Sequence, residues 1–259
     1  MGAPGDPRRR RGPPALRDKR IRQALAYGID RIAIARAVFG EIEPRVRPSD
    51  SAIFLLQSRH YRPNWSGYRY RPAEARRLLE HAGCRRGADG IYACANRRLS
   101  IQIASPLVIG GFRPRVIELV QTQLRQAGVE VVRLIVPQAV LFGPGGMLPR
   151  GEFDLALFGW TAIGPDPGRS SIFACGREQN YTGYCQRLVT RDLDQADRIL
   201  DPARQAAVLN RADAQMAKDV PVIPLFQWST WATVTRDLRR FAPAPSFRLA
   251  DAERWWLDR

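Results

Sequence analysis

Lysine is almost missing from this chain: of 41 basic residues only Lys19 and Lys218 are lysines, and the rest are arginine. Such a bias suits either a polyanion partner or the codon usage of a GC-rich genome. The second asks nothing of the structure and is the reading adopted. Long apolar runs are missing too. The longest uncharged stretches, Leu134 to Pro149 and Val220 to Thr235, are shorter than the about 20 apolar residues a membrane-spanning helix needs, and both contain prolines. Met1 to Pro14 is Gly, Pro and Arg, without the about 7 to 15 apolar residues of an export signal. No G-x-S-x-G, G-x-G-x-x-G, G-x-x-x-x-G-K or H-E-x-x-H occurs. The two histidines are His60 and His81, and His81 ends a helical pattern, where a cation simply complements the helix dipole. No enzyme activity, cofactor or metal site is therefore expected.

What is present supports a sizeable core. The 259 residues are 45% apolar and 25% charged, enough for one large domain or two small ones. The net charge is +16, and eight basic residues fall within the first 22 positions, Arg8 to Arg11, Arg17, Lys19, Arg20 and Arg22. Residues 1–17, with Pro4, Pro7, Pro13 and Pro14, are too poor in apolar surface to offset the entropy of ordering and read as a disordered basic arm.

Beyond it, Ile21, Leu25, Ile29 and Ile32 recur at helical spacing, predicting one helix over 18–39 with a left-handed cap at Gly40. Pro72 opens a second helix that runs to Gly83. Asp89-Gly90 marks a hairpin turn. Leu99, Ile101 and Ile103 alternate as a strand; Val116, Leu119, Val120 and Leu124 form a helical stripe ending at Gly128; Val129 to Val136 is a β-branched strand. That is a βαβ unit, hence a parallel sheet. Phe153 to Trp160 reads as a further buried strand, Gly164 to Asn180 as a long loop, Leu188 to Asp219 as two helices split at Asp201-Pro202, and Val222 to Phe226 as a returning strand. Gly143 to Gly146 reads as a loop rather than an anion nest. Trp65 to Arg71 interleaves aromatics with arginine, but Tyr68 and Tyr70 are expected to pack the helix that follows, and no nucleic-acid partner is expected.

Cys84 and Cys94 bracket one Gly/Asp-rich turn, and Cys175 and Cys185 bracket a second turn of equal spacing. The spacing is too wide for paired zinc ligands. Two local disulfides account for it best; unpaired structural thiols and, least of all, metal ligands are the alternatives. Disulfides require an oxidising compartment. Set beside the lack of an export signal, this suggests a piece of an exported protein.

With those readings in place, a series of blocks resembles the peptide/nickel family of extracytoplasmic solute-binding proteins that feed ABC importers. In order they are Arg22-Gln-Ala-Leu-Ala-Tyr-Gly-Ile-Asp-Arg31, Tyr70-Arg-Pro-Ala-Glu-Ala-Arg-Arg-Leu-Leu79, Leu124-Arg-Gln-Ala-Gly-Val129, Phe153-Asp154 through Gly159-Trp160, Asp166-Pro167, Asn180-Tyr-Thr-Gly-Tyr184 and Pro221-Val-Ile-Pro-Leu225. Cys84 to Cys94 resembles a cysteine-bracketed hairpin of a high-GC, Gram-positive branch, and Glu253-Arg-Trp-Trp-Leu257 its C-terminal signature. The resemblance implies an α/β fold: a lobe of the type II periplasmic-binding-protein class, with a parallel or mixed sheet flanked by helices. It implies a C-terminal lobe over 18–220 and a tail over 221–259 returning toward a missing N-terminal lobe, with Asp18 to Arg22 and Pro221 to Phe226 near the hinge. The implied partners are a peptide-like solute and the permease subunits of an ABC importer, met by a monomer outside the cytoplasmic membrane. Trp160, Thr161 and Asp166 would contact the solute, and Asn180, Tyr181 and Tyr184 would shape the rim of the cleft. Without the resemblance, Trp160 is strand-end core, Asp166 a turn former and Asn180 a loop residue. Ile163 stands where dipeptide and oligopeptide binders carry an aspartate, so a buried ligand ammonium would lack its counter-charge there.

Overall fold

A computed structural model describes residues 14–108, 111–160, 169–228, 233–241 and 252–258. Among these residues the centre is a parallel sheet of β4 (Ser100–Pro106), β5 (Glu130–Val136) and β6 (Leu155–Ala156), in the order β5-β4-β6. Ser100 pairs with Glu130 and Pro106 with Val136, so β4 and β5 run in register along their whole length. The crossover between them is α4 (Arg113–Gln126), as the sequence predicts for a βαβ unit. Its stripe of Val116, Ile117, Val120 and Leu124 is buried against Ile101 and Ile103 of β4. Gly128 closes the crossover with φ +89°, and the Tyr92 ring lies 2.5 Å from where a Cβ would stand, so glycine alone fits.

The expected helix over 18–39 is two helices, α1 (Lys19–Gly28) and α2 (Arg31–Phe39). Ile29 is extended, and the Asp30 carboxylate accepts from Ala33 N at 2.9 Å, capping α2. The Asp30 amide freed by the break donates to Gln123 Oε1 of α4 at 2.8 Å. Gly40 is right-handed, φ −59°, in place of the expected left-handed cap. Pro14–Arg17, placed by the sequence in a disordered arm, forms a 3-10 turn whose Ala15 and Leu16 pack on the main core. α3 (Pro72–His81) lies against α1, and β1 (Arg85–Arg86), β2 (Tyr92–Cys94) and β3 (Arg97–Arg98) form a small antiparallel sheet turned at Asp89-Gly90.

A second core joins α7 (Ser170–Phe173), α8 (Arg187–Ala196) and α9 (Pro202–Asp219) to the extended segment around Ile53, Phe54 and Trp65. Asp201 caps α9, accepting from Arg204 N at 2.7 Å, so the split at Asp201-Pro202 falls where expected. The long loop expected over Gly164 to Asn180 contains α7. The extended segment is held by Arg31, whose guanidinium donates to Asp50 Oδ1 (2.8 Å) and to the carbonyls of Ser49, Trp65, Tyr68 and Pro224 (2.9–3.1 Å).

The expected strand over Val222 to Phe226 does not form; only Phe226 bridges Pro48. Pro221 and Pro224 carry no amide, and the carbonyls of Pro224 and Leu225 go instead to Arg31 and Ser49 N. Phe153 to Trp160 likewise yields only the two residues of β6. The tail returns as β7 (Leu238–Arg239) pairing with β8 (Trp256–Leu257), while Trp255 packs on Phe241 at 4.9 Å. Among the described residues no helix is long and apolar enough to cross a membrane.

Candidate functional site

In a parallel sheet all carboxyl ends emerge at one edge, and there the strands stop donating to one another and leave side chains free to meet a ligand. At this edge Pro106, Val136 and Ala156 end β4, β5 and β6. α5 (Gln138–Phe142) follows β5, and α6 (Met147–Arg150) leads into the segment before β6. Gly143 to Gly146 turns tightly between them, Gly146 N donating to Gly143 O at 2.7 Å. Leu141 and Leu148 seal a small third core with Ala104, and Phe142 and Phe158 close it edge to face at 5.5 Å.

On that floor stands Trp160, 38% exposed. Its ring meets Phe158 edge to face at 5.3 Å and stacks on Tyr181 at 5.9 Å, the planes within 16°. The structure thus brings Trp160 and Tyr181 together from segments distant in sequence, forming an aromatic ledge. Thr161 and Asp166, with Ile163, lie outside the described residues.

Tyr181 is held from below. Asn180 is buried, and its Nδ2 donates to Ala174 O at 2.8 Å and Tyr184 O at 2.7 Å, while its Oδ1 accepts from Thr182 Oγ1. The Tyr184 hydroxyl donates to Asp219 Oδ2 of α9 at 2.7 Å; burial and that carboxylate hold it well above the usual phenol range. Both side chains therefore point into the protein and fix the loop that presents Tyr181. Cys175–Cys185 closes the same loop as a disulfide, and Cys84–Cys94 closes the hairpin of β1 and β2. Trp65 is buried, while the hydroxyls of Tyr68 and Tyr70 donate to Ala217 O of α9 and Gln126 Oε1 of α4, so their hydrogen bonds go to helices other than the expected α3.

Sequence reasoning missed Phe142 and Phe158 as the floor of the ledge. The alternation of Phe158 and Trp160 in the sequence was the signal available for Phe158.

The model of bacterial extracellular solute-binding proteins, family 5 (middle), matches residues 8–181. The chain belongs to this family. Among curated family members, it is 26% identical over 241 residues to the oligopeptide-binding protein OppA of Mycobacterium tuberculosis, covering 93% of this chain and 39% of that protein. It is 24% identical over 247 residues to the oligopeptide-binding protein AppA of Bacillus subtilis, covering 93% and 44%. The chain thus spans less than half the length of these relatives. The solved structure of Bacillus subtilis AppA in complex with a nonapeptide superposes with a TM-score of 0.77 at 22% identity, over 95% of this chain and 48% of that one. NikZ from Campylobacter jejuni in complex with Ni(L-His) gives 0.67 at 22% identity, over 82% and 42%. These superpositions show the family's α/β fold.

Proposed function

We propose that residues 18–220 form one lobe of a two-lobed solute-binding protein, and that the Trp160–Tyr181 ledge is this lobe's half of a cleft for a peptide-like solute. The observation that carries the reading is the stacked, solvent-facing aromatic pair at the carboxyl edge of a parallel sheet. Flat apolar faces with few polar anchors suit a ligand of varied side chains. That relatives are oligopeptide-binding proteins supports a peptide over a sugar. Their greater length leaves room for a second lobe, toward which residues 221–259 return. Thr161 and Asp166 add ligand contacts, and Asn180 and Tyr184 shape the rim by holding Tyr181. The protein acts as a monomer outside the cytoplasmic membrane, closes by hinge motion and delivers its solute to the permease subunits of an ABC importer. No bond is made or broken on the solute, so the site needs neither cofactor nor catalytic residue.

Titration of this chain with the tripeptide Ala-Phe-Ala, followed by tryptophan emission, tests the reading. One lobe offers part of the contacts, so saturation is expected on the order of millimolar. Trp160→Phe should remove most of the emission change, and Trp160→Ala should weaken binding about fivefold or more. An unchanged titration in Trp160→Ala would place the ligand elsewhere.

A further inference from the structure

We propose that Cys175–Cys185 is a thiol-exchange site, at which an incoming thiol attacks Cys185 and Cys175 leaves as a thiolate held by Thr190. The inference goes beyond the solute reading and does not depend on it. The two disulfides stand in different settings. Cys84 is buried in the main core, 4% exposed, and Cys94 packs against that core. Cys185 is exposed and Cys175 half-buried. Exchange needs a thiolate to reach a sulfur, so access selects both the disulfide that reacts and the sulfur that is attacked.

The leaving side is prepared as well. The Thr190 hydroxyl accepts from Cys175 N at 3.0 Å, which turns its single proton toward the sulfur, and it donates to Cys175 Sγ at 3.0 Å. A bonded sulfur is a weak acceptor and a thiolate a strong one, so this hydrogen bond strengthens as the disulfide breaks. Thr190 is the fourth residue of α8, at the positive end of the helix dipole, which lowers the pKa of a nearby thiol. A thiol of lower pKa leaves faster.

The incoming thiolate bonds to Cys185 Sγ, the bond between the two cysteines breaks, and its electron pair stays on Cys175 Sγ. With a dithiol as reductant, its second thiol then attacks its own sulfur in the mixed disulfide, closes the reductant's disulfide and releases Cys185. Two electrons pass from the dithiol, and its two protons end on the two cysteines. The loop keeps other fasteners: Asn180 still bonds Ala174 O and Tyr184 O, and the Tyr184 hydroxyl still bonds Asp219. Opening the disulfide therefore loosens the segment that carries Tyr181 without the fold being lost.

The test treats this chain in its native state with dithiothreitol, followed by acid quench, alkylation with N-ethylmaleimide and mass-spectrometric mapping. Cys175–Cys185 should open on the order of a hundredfold faster than Cys84–Cys94; equal rates would overturn the proposal. With 2-mercaptoethanol at early times, the adduct should sit on Cys185 and the maleimide on Cys175. The reverse placement would overturn the order of attack. Thr190→Val keeps the shape of the side chain without its hydroxyl and should slow opening about tenfold, whereas Thr190→Ser should open at the wild-type rate. An unchanged or faster rate in Thr190→Val would remove Thr190 from the exchange. If Thr190→Val fails to fold, the wild-type rates and the position of the adduct decide on their own.

Discussion

Asp213 is wholly buried on α9, where its carboxylate accepts from Trp65 Nε1 (2.9 Å), Asn64 Nδ2 (2.8 Å) and Ala52 N (3.0 Å). It is the acceptor that fastens the extended segment to the second core. Desolvation nonetheless outweighs these bonds and pushes its pKa up. The sign follows from proton linkage. Above the unfolded carboxylate value of about 3.9 and up to the raised native value, folding takes up a proton at this site. Its contribution to stability is therefore full below about 3.9 and declines as pH rises through the native value. Asp213→Asn removes that dependence. Denaturant unfolding at pH 4 and pH 7 should show the variant gaining on the wild type as pH rises; a difference that stays constant with pH would contradict the assignment.

At the scale of elements, the two disulfides hold different structures. Each closes a loop of about 11 residues, worth about 3 kcal/mol in the chain-entropy view. Cys175–Cys185 brackets the loop that carries Tyr181, so Cys175→Ser with Cys185→Ser should lower the denaturation midpoint and speed amide exchange across 177–184. Cys84→Ser with Cys94→Ser should loosen the hairpin and leave 177–184 protected. Equal exchange in the two variants would contradict this division. Elements punctuated by proline, aspartate or glycine were legible in the sequence: α3 begins at Pro72, α9 at Pro202 behind Asp201, and α4 stops before Gly128. The break between α1 and α2 was hidden because Ile21, Leu25, Ile29 and Ile32 keep helical period across it, and only the cap at Asp30 betrays it. The expected strand at Val222 to Phe226 failed because apolar, β-branched composition says nothing about where the carbonyls go, and here Arg31 takes one of them. Trp160 and Tyr181 were legible only through the family blocks that contain them. The inward roles of Asn180 and Tyr184 depend on Ala174 O and Asp219, tertiary partners that no local pattern announces.

Across the whole molecule, the two large cores divide the labour. The first, around β4, β5 and α4, fixes the sheet whose carboxyl edge supports Trp160, and the second, around α7, α8 and α9, fixes the loop that brings Tyr181 across to it. The ledge exists only where these two bodies of packing meet, so it is formed in a chain covering less than half of its curated relatives' length. Surplus positive charge contributes little to this arrangement: pairs such as Arg98 with Asp89 and Glu130 are open to solvent and weak in water. The most direct test of the account is photo-cross-linking of this chain with a diazirine-bearing Ala-Phe-Ala peptide, followed by digestion and mapping of the label. The account predicts that label concentrates in the peptides containing Trp160 and Tyr181 and is displaced by excess unlabelled tripeptide. Label spread evenly over the surface, or concentrated away from the carboxyl edge of the sheet, would contradict it.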